Sequence, residues 1–156
     1  MIGTWPWLPL IQSWQISLAG RKIILDIETE VYREFYLDCE EVNLFLSPDY
    51  RSWFAGRRRG PFYNEFSQGD LFRFRIWISR KAGERLGAVA RWFSLPAVSL
   101  RPLSVAPDAY LVIENANILG EKGRLIQYLR LPDKEQALVK PGRYHSFKGA
   151  IEIARF

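Results

Sequence analysis

One cysteine, one histidine and one methionine stand in a chain of 156 residues, and each scarcity removes a class of chemistry. A single thiol, Cys39, can neither close an internal disulfide nor supply a multi-cysteine metal site. With His145 alone, zinc and haem chemistry lose most of their usual ligands, and any Ser-His-Asp scheme would have to run through that one imidazole. So low a cysteine count suits a reducing interior, and a cytoplasmic location is expected. The first twenty residues carry no charged side chain. Pro6 and Pro9 interrupt helix there, and Gln12, Ser13, Gln15 and Ser17 are polar, so no transmembrane segment of about 20 apolar residues is expected. A secretory signal would need a positive start and an unbroken apolar run. Helical periodicity is weak everywhere, with a turn or two at Asp133–Val139 the exception.

What the chain does have is hydrophobic and aromatic mass. Hydrophobic residues make up 48% and aromatics 15%, which favours a packed domain built from strands. The net charge of +5 is divided unevenly along the chain. Residues 1–49 hold 3 Lys/Arg against 8 Asp/Glu, residues 50–101 hold 11 against 3, and residues 102–156 hold 8 against 6. Asymmetry of this kind speaks to partners rather than to fold.

Taken in order, residues 1–12 form an uncharged arm rich in Trp and Pro, and residues 13–156 read as a single domain. Ser13–Leu18 alternates and turns at Ala19–Lys22. Lys22–Asp38 then alternates further than any other run, with Ile23, Leu25, Ile27, Thr29 and Val31 on one parity and Asp26, Glu28 and Glu30 on the other, which predicts a long strand, bent or bulged. Val42–Leu46 is a further strand. A basic loop, residues 50–63, leads to a strand at Leu71–Ser79, and a turn at Lys81–Glu84 suggests a hairpin back through Ala88–Phe93. Leu95–Pro107, with three prolines, reads as a crossover or an edge. Tyr110–Leu119 and Arg124–Leu131 flank Gly120–Gly123 as a second hairpin, and Gln136–Val139 and Ala150–Ala154 close the chain as short strands. The expected fold is all-β, one antiparallel barrel or sandwich of about eight or nine short strands with little helix.

Ile24-Leu25-Asp26-Ile27-Glu28-Thr29 resembles the first motif of the DEDD exonuclease family, and the resemblance would make Asp26 and Glu28 ligands of catalytic metal ions. The late His-x4-Asp or Tyr-x3-Asp motif of that family has no counterpart, because Ala150 and Lys148 occupy those places. Arg59, Gly60, Tyr63 and Phe66 resemble the RNP1 motif of RNA-recognition domains, from which Pro61, Phe62 and Asn64 depart. Neither family extends over the chain. Successive carboxylates on one strand face lie roughly 6.5–7 Å apart, too far to chelate one ion unaided. They call for a basic neighbour, which the strand carrying Arg73 and Arg75 could supply. Cys39, among Asp38, Glu40 and Glu41, has a parity that suits a buried structural thiol.

Arg57-Arg58-Arg59 between two glycines offers guanidinium forks for phosphate oxygens, and neighbouring aromatics suit stacking on unpaired bases. The sequence therefore points to a non-catalytic accessory subunit that binds RNA or single-stranded DNA, within a larger ribonucleoprotein complex. Arg51, Arg57, Arg58, Arg59, Arg73 and Arg75 would meet phosphates, and Trp53, Tyr63 and Trp77 would stack on bases. Trp5, Trp7 and Trp14 would dock the arm on other protein subunits. No cofactor, metal or catalytic residue is expected. Two other readings stand beside this one: an assembly module that pairs an acidic with a basic face, and a barrel for an apolar small molecule.

Overall fold

The computed structural model describes residues 1–63, 66, 75–78, 84–90, 95–106, 108–118, 120–133 and 137–154, with the side chains of 75–78 and 118 left aside. The architecture is all-β and antiparallel. An eight-stranded sheet runs in the order β1 (Ile2–Thr4), β2 (Leu10–Ala19), β3 (Lys22–Val31), β14 (Gly142–Ala154), β10 (Ala97–Pro102), β9 (Leu86–Ala90), β6 (Tyr50–Ala55) and β7 (Arg58–Pro61). A four-stranded sheet runs β5 (Glu40–Leu46), β12 (Glu121–Arg130), β11 (Ala109–Ile118) and β8 (Arg75–Ile78), and a short ribbon pairs β13 (Leu138–Val139) with β4 (Phe35–Tyr36). Among the described residues neither sheet closes on itself, and no helix is long and apolar enough to cross a membrane.

The core follows from the period of two. β3 buries Leu25, Ile27, Thr29 and Val31 on one face, as its alternation predicts. Leu86 and Ala88 of β9, Leu100 of β10 and Phe147 of β14 join Leu25 and Ile27 in one buried cluster with Leu111, Ile113, Ile126 and Tyr128 of the smaller sheet. The Tyr128 and Phe147 rings meet across the two sheets at 5.0 Å. Fully burying an aliphatic side chain such as Leu100, Ile113 or Ile126 contributes about 1.5–3 kcal/mol each, so this seam carries much of the stability.

Two turns follow the expected positions. Gly20, at φ +61°, joins β2 to β3, and Gly120, at φ +87°, joins β11 to β12. Elsewhere the structure departs from the sequence reading. β10 is a central strand, flanked by β14 and β9, and not a crossover or an edge. Its prolines fit because Pro96 precedes the strand and Pro102 is its last residue, so no interior donor is missing from the ladder. β8 and β9 enter different sheets and form no hairpin with each other. The final strand is long, and the ladder between β14 and β3 shifts register between His145 and Phe147. The shift is a β-bulge at Ser146 that changes which parity faces the core. Expected residues 71–74, 79, 81–83 and 91–93 lie outside the described residues.

Candidate nucleic-acid interface

The basic loop is a β-hairpin at the edge of the larger sheet. β6 and β7 pair Ser52 with Pro61, Trp53 with Gly60, Phe54 with Arg59 and Ala55 with Arg58. The Gly56–Arg57 turn suits this tight return, because Gly56 takes φ +56°. Arg51, Arg57, Arg58 and Arg59 are all exposed. Trp53 is half-buried against the core, and its indole occupies the space over Gly60, where an added Cβ would lie 2.8 Å from the ring. Tyr63 is 59% exposed.

A buried cation fastens the hairpin's base. Arg124, fully buried on β12, donates from Nε to the Tyr50 carbonyl at 3.0 Å and from its terminal nitrogens to the carbonyls of Tyr63 at 2.9 Å and Pro48 at 3.3 Å. It also donates to Oδ1 of Asn115. Its guanidinium carbon lies 4.8 Å from the Phe62 ring centroid and 4.6 Å from that of Phe66. Burial, with the nearby Arg51 charge, lowers its pKa to about 10, so it remains protonated at neutral pH.

Cross-strand register then extends the positive surface. On the face turned away from the core, one row runs Lys22, Glu152, Ser99, Gly87, Phe54 and Arg59, each opposite the next, over β3, β14, β10, β9, β6 and β7. Six strands at about 4.8 Å spacing make a row roughly 24 Å long. Arg101 and Arg85 flank it. Glu152 gathers Lys22 at 3.1 Å, Arg85 at 3.0 Å and Arg101 at 3.9 Å, while Glu84 stands 3.9 Å from Arg58. Burial raises the Glu152 pKa, but the hydrogen bonds from Lys22 and Arg85 outweigh it and hold the carboxyl below its ordinary value. The Phe54 ring fills the space over Gly87, and the Arg85 guanidinium lies 5.8 Å from its centroid. Lys22, Arg57, Arg58, Arg59, Arg85 and Arg101 thus share a region whose described carboxylates are Glu84 and Glu152.

The other expected residues fall elsewhere. Arg73 lies outside the described residues. Arg75 and Trp77 sit on β8, opposite Glu114 and Val112 of β11, both of which are fully buried. The acidic residues of β3 are met by β14 and not by the strand of Arg75. Asp26 accepts 2.7 Å hydrogen bonds from Lys148 and His145, Glu30 lies 3.9 Å from Arg143, and Glu28 is in register with His145. The hydrogen bonds from Lys148 and His145 hold the Asp26 carboxyl below its usual value. Cys39 is exposed rather than buried; partial desolvation of its thiol, with the charges of Glu41 and Asp38, raises its pKa. In the arm, Trp7 is 92% exposed, Trp5 is 40% exposed, and Trp14 is half-buried with its indole N–H donating to Gln12.

Lys22, Arg85, Arg101 and Glu152 were not singled out from the sequence. Parity within β10 and β14 marks Arg101 and Glu152 as outward, but the register that brings them beside Arg59 involves strands far apart in the chain. Compared with family models, with curated proteins and with solved structures, the chain matches none of them.

Proposed function

We propose that the outer face at the β6–β7 hairpin binds RNA or single-stranded DNA, and that the protein acts as a non-catalytic accessory subunit of a larger ribonucleoprotein complex. The observation that carries this reading is the excess of cations around the row whose ends are Lys22 and Arg59, where Arg57, Arg58, Arg85 and Arg101 join them against Glu84 and Glu152. Guanidinium groups spaced along a sheet suit a flexible phosphate backbone. Tyr63, two residues beyond β7, offers an exposed ring for stacking, and Phe54 underlies Arg85. Trp53 braces the hairpin from the core side. The exposed Trp7 supports a docking role for the arm within such a complex. The paired-face assembly reading has less support, since the acidic residues of β3 meet cations of their own chain on β14.

The test is fluorescence anisotropy of labelled single-stranded RNA and DNA across a salt series. Six phosphate contacts predict a slope of log K against log salt of about −4, at roughly −0.7 per contact. Changing Arg57, Arg58 and Arg59 together to serine should weaken binding about equally for all sequences and reduce the slope by about 2. Equal slopes for the two proteins, or no binding at low salt, would overturn the proposal.

A further inference from the structure

A second feature lies away from the hairpin, where residues of β2, β3 and β14, the β4–β13 ribbon and the ends of β5 and β12 line one pocket. It is a cavity of about 510 Å³, within the ordinary range for small-molecule sites. Trp5, Trp14, Val31, Phe35 and Val139 give it apolar walls. Thr29 and Ser146 supply hydroxyls to its lining, and their oxygens are 2.6 Å apart. The bulge in β14 makes this possible, because the register shift that skips Ser146 lets both Ser146 and the core residue Phe147 turn inward. Each hydroxyl carries one proton, and their mutual bond uses one of the two. The other proton has no acceptor among the described residues, so the pair offers one donor, with lone pairs beside it, next to the apolar walls.

The rim decides the ligand's charge. Arg130 is its cation, and it is already engaged. Its Nε lies 3.1 and 2.9 Å from the two carboxylate oxygens of Asp108, and a terminal nitrogen is 3.6 Å from Glu40. Glu41 at the same rim accepts from Asn43 at 2.9 Å and adds negative charge. Among the described residues an anion would meet no available cation, and a cation held at the Thr29–Ser146 pair would sit against apolar walls, where desolvation is costly. We propose that this cavity binds an uncharged, mostly apolar small molecule carrying a single hydroxyl or carbonyl group, which hydrogen-bonds to the Thr29–Ser146 pair. None of the hairpin cations lines it, so the site stands independently of nucleic-acid binding.

The test uses the whole protein and Nile red, a neutral apolar dye with one carbonyl, whose emission rises and shifts to the blue in an apolar site. Saturable one-to-one binding is expected, with displacement by 1-decanol at concentrations at least tenfold below those needed for decanoate or decylammonium. Val139→Trp, which fills the cavity, should abolish the dye signal while the far-ultraviolet circular dichroism stays that of a β protein. Thr29→Val together with Ser146→Ala removes both hydroxyls, since either one alone would still offer a donor, and should weaken 1-decanol about 5- to 10-fold, the worth of one hydrogen bond. If Val139→Trp does not fold, this double variant decides alone. Absence of saturable dye binding, equal competition by decanoate or decylammonium, or unchanged decanol affinity in the double variant would each overturn the proposal.

Discussion

Replacing Arg124 with methionine tests whether the fold and the basic hairpin depend on one buried guanidinium. Methionine keeps the length and the apolar packing between Phe62 and Phe66 but removes every donor. The Tyr50 carbonyl and the Asn115 amide oxygen, whose bonds to Arg124 are buried, would lose that charged donor; the Tyr63 carbonyl keeps its 2.6 Å bond from the Asn115 amide, and the Pro48 carbonyl, at a part-buried bond, would rehydrate. Two buried acceptors each deprived of a charged donor cost about 1–3 kcal/mol each, and relief from burying the charge returns part of that. The expected loss is about 2–4 kcal/mol, which for a chain of this size lowers the melting temperature by roughly 5–15 °C. Circular dichroism gives the melt, and amide exchange should show faster opening across residues 50–63 in the variant. Arg124→Lys is the control: a single ammonium cannot reach carbonyls on three sides of a planar fork, so it should recover little. A loss under about 1 kcal/mol in Arg124→Met, or full recovery in Arg124→Lys, would refute the role of the fork.

Two further outcomes follow from the same surface. A methyl group at Gly87 would lie 2.6 Å from the Val98 carbonyl oxygen and would collide with the Phe54 ring; Gly87→Ala should therefore cost about 1–3 kcal/mol by overpacking, and an unchanged denaturation midpoint would contradict the close approach. Asp26 and Glu152 both have carboxyl pKa values lowered in the folded protein from the ordinary 3.8 and 4.5. Their contribution to stability is complete above those ordinary values and is lost as pH falls through the lowered ones. Acid unfolding followed by tryptophan fluorescence should become less steep in Asp26→Asn and in Glu152→Gln, and an unaltered acid limb in both variants would count against these ion pairs.

Much of the strand inventory was legible because the period of two is a local property. β3 is the clearest case: Leu25, Ile27, Thr29 and Val31 bury as their parity requires, and the turns at Gly20 and Gly120 fall where glycine permits a positive φ. Partner choice was less legible, because it depends on residues distant in the chain. Three prolines suggested that Leu95–Pro107 was peripheral, yet two of them only bracket β10 at Pro96 and Pro102. The bulge at Ser146 also has no local mark. It breaks the alternation of β14, turning Phe147 into the core while His145 stays beside Glu28. The hairpin cations could be read from composition, whereas Arg101, Arg85 and Lys22 join them only through register across six strands.

The acidic residues of β3 did announce that a basic neighbour was needed, and β14 shows why its identity follows from antiparallel pairing. Along β3 the outward charged residues run Lys22, Asp26, Glu28, Glu30; along β14 Arg143, Lys148 and Glu152 are joined by the hydrogen-bonding imidazole of His145. Laid antiparallel, Lys22 meets Glu152, Asp26 meets Lys148, Glu28 meets His145 and Glu30 meets Arg143. Exposed ion pairs stabilise little one at a time, but a slip of two residues would set Asp26 opposite Ala150 and Glu152 opposite Ile24 in one direction, or Lys22 opposite Ala150 and Lys148 opposite Ile24 in the other, so the pattern helps specify register. The same arrangement explains the electrical division of the outer face. β3 and β14 balance each other along most of their shared length, and Glu152, at the far end, must serve Lys22, Arg85 and Arg101 together. Beyond it β10 and β7 bring Arg101 and Arg59, Arg85 stands just before β9, and Arg58 at the hairpin lies 3.9 Å from Glu84, the described counter-charge there. The positive surplus is therefore concentrated by topology on the hairpin side of the sheet, the face proposed above for nucleic acid.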